Sequence, residues 1–420
     1  MFFLFITYLL IFIYLTYRNF RWAVGLFIIL LPSYLIRFSV GPFPSTILEL
    51  SFSALFLVWV LEYAKNDFKV IKEIVTKHGL FFIFLGLFFL ASIISILVSG
   101  QYIQAVGLWR AYFLEPLILF FILLGRSKEI KIKDLVWFLA LSTLSISIFA
   151  IIQKLTGWGI STLEWTDVVT RRSTAFFSSP NAVGLFLAPI VMLVIASQVS
   201  LLLRAKRNND RNATLAITIL VFLAIYFSKS QGTWIGLGTG ILVFVFLIGY
   251  RKIATGILVL GVITALIIPS LRQAILFQDN AGQNRILLWS ESWNYLSESP
   301  SNFILGTGLR QFYDKIQKPV HNWQRIERHI YPHNIFLNFW TEIGLLGMLS
   351  FVGMLVYLFY LANKIRKKDL ILGAGLISVS VVFLVHGLVD VPYFKNDLAF
   401  LFYILSVCFI TSTPQSLARE

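Results

Sequence analysis

GLFFIFLGLFFLASIISILVS, residues 79–99, runs for 21 positions without one charged side chain. A helix of that length covers the roughly 30 Å of hydrocarbon in a bilayer. Comparable runs recur along nearly the whole chain, at Phe2 to Leu15, Trp22 to Ile36, Ser45 to Tyr63, Ala105 to Leu124, Leu135 to Leu155, Asn181 to Leu202 and Thr214 to Phe227. They continue at Trp234 to Ile248, Ala254 to Ile268, Leu345 to Tyr360, Leu370 to His386 and Leu398 to Ile410. The expectation is an all-α, polytopic transmembrane helical bundle of about 12–13 spans, with the first two runs short. Alternating segments of about 10 residues, which a membrane β-barrel requires, are absent.

Composition agrees. Of 420 residues, 58% are hydrophobic and only 13% charged, against roughly 25% charged in soluble proteins. The basic clusters RNFR (18–21), Lys65 to Lys77, RSKEIKIKD (126–134), RAKRNNDR (204–211), YRK (250–252) and NKIRKKD (363–369) fall in alternate connections. Lys and Arg gather on the cytoplasmic side of short loops, so these share that face. The net charge of +15 is then a topological signal, and no nucleic-acid partner is needed to explain it. The loops 156–180 and 271–333, with SKSQG (228–232) and HGLVDVPYFKND (386–397), face outward. The first run lacks a charged leader and a small-residue cleavage site, and reads as a retained span. The single cysteine, Cys408, excludes an intramolecular disulfide.

The chain reads as one membrane domain, residues 1–420, whose extracytoplasmic loop 271–333 is too long for a passive connector and contains short helices. In NRILLWSESW (284–293), Asn284 is an expected helix cap, with Arg285, Trp289 and Trp293 four apart on one face. Both tryptophans read as interfacial aromatics. Pro300 stops that helix and Gly306-Thr307-Gly308 turns the chain. A basic, aromatic stretch with Lys315, Lys318, Trp323, Arg325 and Arg328 follows. Pro332 ends it, and Asn334 is the expected cap of the next helix. His333 then stands just outside a helix N-terminus, where free N–H groups and the dipole favour an anion and an imidazole suits a general base.

Arginine suits a phosphate site because its planar guanidinium binds two oxygens at once. The outward loops supply Arg171 and Arg172 from one side, and Arg285, Arg310, His333, Asn334 and Glu342 from the other. Two arginines from separate loops would neutralise a pyrophosphate without a metal. A zinc set of His321, Glu327, His329 and His333 is disfavoured, since Pro332 breaks the helix that an i, i+4 pair needs. Glu49, Arg110 and Glu115 lie within spans, where ionisable groups are functional candidates by default, and Arg110 and Glu115 are expected to pair with neighbours rather than with each other. His386 reads as interfacial; Asp390 and Lys395 sit near the same helix end.

These residues carry a resemblance. RRSTAFFSSPNA (171–182) resembles the R-x-x-G-x-F-x-x-P-N element of the O-antigen ligase and polymerase group, and NRILLW with LGTGL resembles its R-x-x-x-W and G-x-G element. PHNIFLNFWTEIGLLG (332–347) resembles its H-N-x-x-L-x-x-x-x-E-x-G-x-x-G element, and HGLVD (386–390) is also similar. In hydrophobic layout the likeness runs from about Pro32 to Val407. It implies an O-antigen ligase-like glycosyltransferase of the bacterial cytoplasmic (inner) membrane, with its active site facing outward. Such an enzyme moves a saccharide from an undecaprenyl-pyrophosphate carrier to a glycolipid or growing-glycan acceptor, without cofactor or metal.

By that resemblance Arg172 and Arg285 hold the pyrophosphate and His333 activates the acceptor hydroxyl. Arg171, Lys229, Gln231, Arg310, Asn334 and Glu342 are the expected substrate-binding residues. The group often has Ser-Arg-Gly where this chain has Ser230-Gln231-Gly232, and Lys229 or Arg171 is the expected substitute charge. Ala175 replaces a usual glycine, a mild change if φ there is negative. A chain polymerase of the same family is the near alternative. A multi-pass transporter is the alternative from another class, disfavoured because no paired repeats are visible.

Overall fold

The computed structural model describes residues 2–40, 43–162, 165–203, 209–318 and 329–412. His321, Trp323, Arg325, Glu327 and Arg328, and most of the basic stretch 204–211, lie outside the described residues. Each expected span falls on an apolar helix. Among the described residues, seven helices are long and apolar enough to cross a membrane unaided: Ile47–Lys77, Gly79–Ser99, Tyr102–Gly125, Ile132–Thr156, Pro180–Ser200, Ile335–Arg366 and Leu370–Gly387. The helix Arg251–Ile267 makes an eighth if joined to Leu271–Glu298 across a bend of 103°. Five shorter ones, Phe5–Arg18, Phe20–Ile29, Asn212–Ser228, Gln231–Leu247 and Asn396–Thr411, complete the bundle.

The expected 12–13 full-length spans therefore divide by length. At 1.5 Å per residue, the 17 residues of Gln231–Leu247 reach only about 25 Å and the 10 of Phe20–Ile29 about 15 Å. Phe20–Ile29 is prolonged by a tight turn, Leu31–Leu35, with Pro32 near its start. The strands Arg37–Val40 and Phe43–Thr46 then pair antiparallel, with Arg37 opposite Thr46. Thr46 next caps Ile47–Val58 through a reciprocal pair of bonds with Glu49.

The span expected at Leu345 to Tyr360 begins ten residues earlier. Asn338 and Glu342 interrupt the apolar run, yet both are buried within Ile335–Arg366. This helix packs along Gly79–Ser99, and Leu370–Gly387 packs against Gln231–Leu247 and Pro180–Leu203. Aromatics packed tilted or edge to face fill the centre: Phe339 lies 4.2 Å from Phe351 and 5.2 Å from Tyr393, ring to ring, with Phe88 beside all three.

Candidate active site

The entry to Ile335–Arg366 is the anchor. Asn334 caps it, its Oδ1 accepting from the amides of Phe336 and Leu337 at 3.0 and 3.1 Å. Its Nδ2 donates to the Leu388 carbonyl at 3.1 Å, tying the helix start to the turn after Leu370–Gly387. His333, just before the cap, takes a positive φ of 52°. A side chain other than glycine pays conformational strain there, which persists only where surroundings enforce it.

Its ring is held from two sides. Nδ1 lies 3.4 Å from Oδ1 of Asp390, and Nε2 lies 3.3 Å from Nδ1 of His329. Burial alone would raise the Asp390 pKa. The hydrogen bond with His333 and the neighbouring His333 and His386 rings outweigh that and hold the carboxyl well below its usual range. Burial pushes His329 down to about 4, with His333 and Arg285 adding to the shift. An ionised Asp390 accepts the Nδ1 proton of His333 and leaves Nε2 as the basic nitrogen.

Arg285 reaches the same turn from the helix Asn280–Glu298, its Nε donating to the Val389 carbonyl at 2.9 Å. One turn on, Trp289 donates from Nε1 to the Pro332 carbonyl at 2.9 Å, so it braces the His333 segment. Trp293, half exposed, meets Trp340 edge to face. Asp279 caps this helix and Asn284 sits inside it, because the helix starts earlier than Asn284 implied.

Arg172 occupies the neighbouring turn. Its Nε donates to the Ser228 carbonyl at 3.1 Å, and one terminal nitrogen faces the Lys229 carbonyl at 3.3 Å and Asn181 Oδ1 at 3.4 Å. The two turns touch where Gly232 leaves no room for a side chain: a Cβ there would lie 2.9 Å from Val389 Cγ2. Arg172 and Arg285 are thus fixed to two abutting turns at one end of the bundle. Among the described residues, both terminal nitrogens of Arg285 make no hydrogen bond, and neither does Nη1 of Arg172.

Other expected site residues stand apart. Arg171 is buried, donating to the carbonyls of Thr166 and Lys154 at 3.0 to 3.2 Å. Lys229, at φ 50°, donates to the Val169 carbonyl, and Gln231 is exposed at the start of its helix. Arg310 and Glu342 meet at a kink. The helix Ile335–Arg366 breaks at Ile343 and Gly344, and the freed Thr341 carbonyl accepts from the Thr307 amide and hydroxyl at 2.6 and 2.9 Å. Glu342 accepts the Arg310 amide at 2.6 Å. Gly306 and Gly344 carry the close approach with φ of 69° and 75°; a Cβ on Gly344 would lie 2.5 Å from the Ile304 carbonyl oxygen. The E-x-G spacing therefore locks a loop to a broken helix.

Two of the inward groups carry little signal in the sequence: Asp390 reads only as a charge near a helix end, and His329 only as part of the disfavoured zinc set. His386, expected at an interface, is buried against Gly232 and Gly236. Glu49, Arg110 and Glu115 form one ion-pair group, since Arg110 bridges both carboxylates at 2.8 and 3.3 Å, including the one on its own helix. Ala175 has a φ of 49°, so the condition for a mild exchange with glycine is not met.

Fold and site together define a multi-pass membrane protein with a histidine, a carboxylate and arginines gathered at one end of its helices. Residues 216–352 match the family of O-antigen ligases. That stretch contains Arg285 and His333 but neither Arg172 nor Asp390. A candidate polysaccharide ligase of Rickettsia conorii (strain ATCC VR-613 / Malish 7) is 27% identical over 213 residues, which cover 46% of this chain and 50% of the relative. The match thus spans half the length of that curated relative. By these two matches the chain is O-antigen ligase-like.

Proposed function

We propose that the protein transfers a saccharide from an undecaprenyl-pyrophosphate carrier to an acceptor hydroxyl at the outer face of the bacterial cytoplasmic membrane, as an O-antigen ligase would. The observation that carries this reading is the His333 imidazole, held by Asp390 on one nitrogen and standing beside the turn that Arg285 grips. The match to a candidate polysaccharide ligase supports the same chemistry.

In this reaction the acceptor hydroxyl replaces His329 at Nε2 of His333, and that nitrogen takes its proton. The hydroxyl oxygen attacks the anomeric carbon as its bond to the pyrophosphate oxygen breaks, and undecaprenyl pyrophosphate leaves. Asp390 stabilises the imidazolium that forms. Arg172 and Arg285 offer their free N–H groups to the departing pyrophosphate, so charge stabilisation and positioning supply most of the acceleration. Where the group has an arginine, this chain has Gln231, and Arg172 brings a guanidinium to that same turn. A single displacement inverts the anomeric configuration.

The membrane domain 1–420 and its loop 271–333 then form one catalytic unit, with the basic loops cytoplasmic. Arg171 and Lys229 serve by ordering the loop before Arg172, and Glu342 by holding Arg310. The test is transfer of a labelled undecaprenyl-pyrophosphate glycan to acceptor by the purified protein, with and without EDTA. Transfer that persists in EDTA, inverts the sugar and vanishes in His333→Ala supports the reading. Retention of configuration, or full activity in His333→Ala, overturns it.

A further inference from the structure

We infer that a second pocket beside His333 is a recognition subsite for an acidic saccharide of the acceptor, an inference that rests on the glycan-transfer reading above. The pocket, about 620 Å3, lies where the starts of four helices meet the hairpin Arg37–Thr46, and none of its lining comes from Arg172 or Arg285. Its volume falls within the roughly 300–1,000 Å3 of small-molecule sites.

Three observations point to the occupant. Asn338, in the lining, is 1% exposed, and among the described residues neither its Oδ1 nor its Nδ2 has a hydrogen-bond partner. A carboxamide sets a donor beside an acceptor, the pair that neighbouring sugar hydroxyls satisfy. The charges in the lining are also unevenly committed. Arg110 is matched by Glu49 and Glu115; the other Glu49 oxygen accepts the Thr46 amide, and Glu342 accepts the Arg310 amide. Arg37 and Arg310 make no ion pair among the described residues, which leaves two guanidinium groups against one lining carboxylate, Glu342, that no arginine matches, and so a surplus of positive charge for an anion. Finally, Tyr331 lines the pocket while its ring stands edge-on to His333 at 4.9 Å, so a ligand here adjoins the imidazole. Aromatic faces, an amide and cations together fit a sugar carrying a carboxylate or phosphate better than a bare anion.

The test is saturation-transfer NMR on the full chain in phosphatidylcholine nanodiscs, titrated with glucuronic acid, glucose 6-phosphate, glucose and inorganic phosphate. We expect one or both acidic sugars to bind at least tenfold more tightly than glucose or phosphate, the two arms separating carboxylate from phosphate recognition. Arg37→Gln and Arg310→Gln, both at exposed positions, should each weaken that binding at least fivefold. The inference is overturned if glucose binds equally well, if the double variant binds as the parent does, or if phosphatidylglycerol in the nanodisc displaces the sugar. Binding is read without turnover: acidic sugar bound by a protein that transfers no glycan would sink the transfer reading alone, and transfer with no sugar selectivity would sink the subsite alone.

Discussion

Replacing Asp390 by Asn removes one negative charge and little volume, and it tests the arrangement around His333 most directly. The carboxylate is 3% exposed and its partner ring 19% exposed, with 3.4 Å between Oδ1 and Nδ1. At an effective dielectric near 20, two unit charges about 4 Å apart attract by about 4 kcal/mol. If the imidazole becomes cationic as it takes the acceptor proton, that attraction exists chiefly in the transition state. Each 1.36 kcal/mol is tenfold in rate, so Asp390→Asn should lower kcat by roughly 10²- to 10³-fold. KM for the lipid-linked donor should stay within about twofold, because Asp390 makes no hydrogen bond or ion pair with Arg172 or Arg285 among the described residues. Steady-state transfer with a labelled donor and saturating acceptor measures both, and a thermal melt in detergent checks folding. The argument fails if a folded Asp390→Asn protein retains more than about a third of its kcat.

Two substitutions probe the scaffold. Gly344→Ala forces a side chain into φ 75°, ψ 175°, a region essentially reserved for glycine, against the Ile304 carbonyl; a loss of about 3 kcal/mol or more and a clearly lower Tm are expected. Ala175→Gly relieves a left-handed alanine and should leave stability equal or raise it by about 1 kcal/mol, read as Tm with transfer activity unchanged.

Much of the fold was legible because hydrophobic length is a local property. Gly79–Ser99 and Pro180–Leu203 announce themselves by apolar runs alone, and the cap at Asn334 by its place after Pro332. Within Ile335–Arg366 the apolar run alone starts only at Leu345, because Asn338 and Glu342 interrupt it, while the cap at Asn334 already marks where the helix begins. Asp279 and Asn284 are equally good caps in composition, and only the backbone selects Asp279 as the start of Asn280–Glu298.

The sequence by itself determined that this is a helical membrane protein, which loops bear polar chemistry, and that His333 precedes a helix start. Tertiary structure decided which groups meet: Asp390 with His333, 57 residues apart, Arg285 with Val389, 104 residues apart, and Arg171 turned away into the carbonyls of its own loop. Helix formation follows from neighbours within a few residues. Which helix ends converge depends on how all the apolar faces pack, and no single segment carries that information.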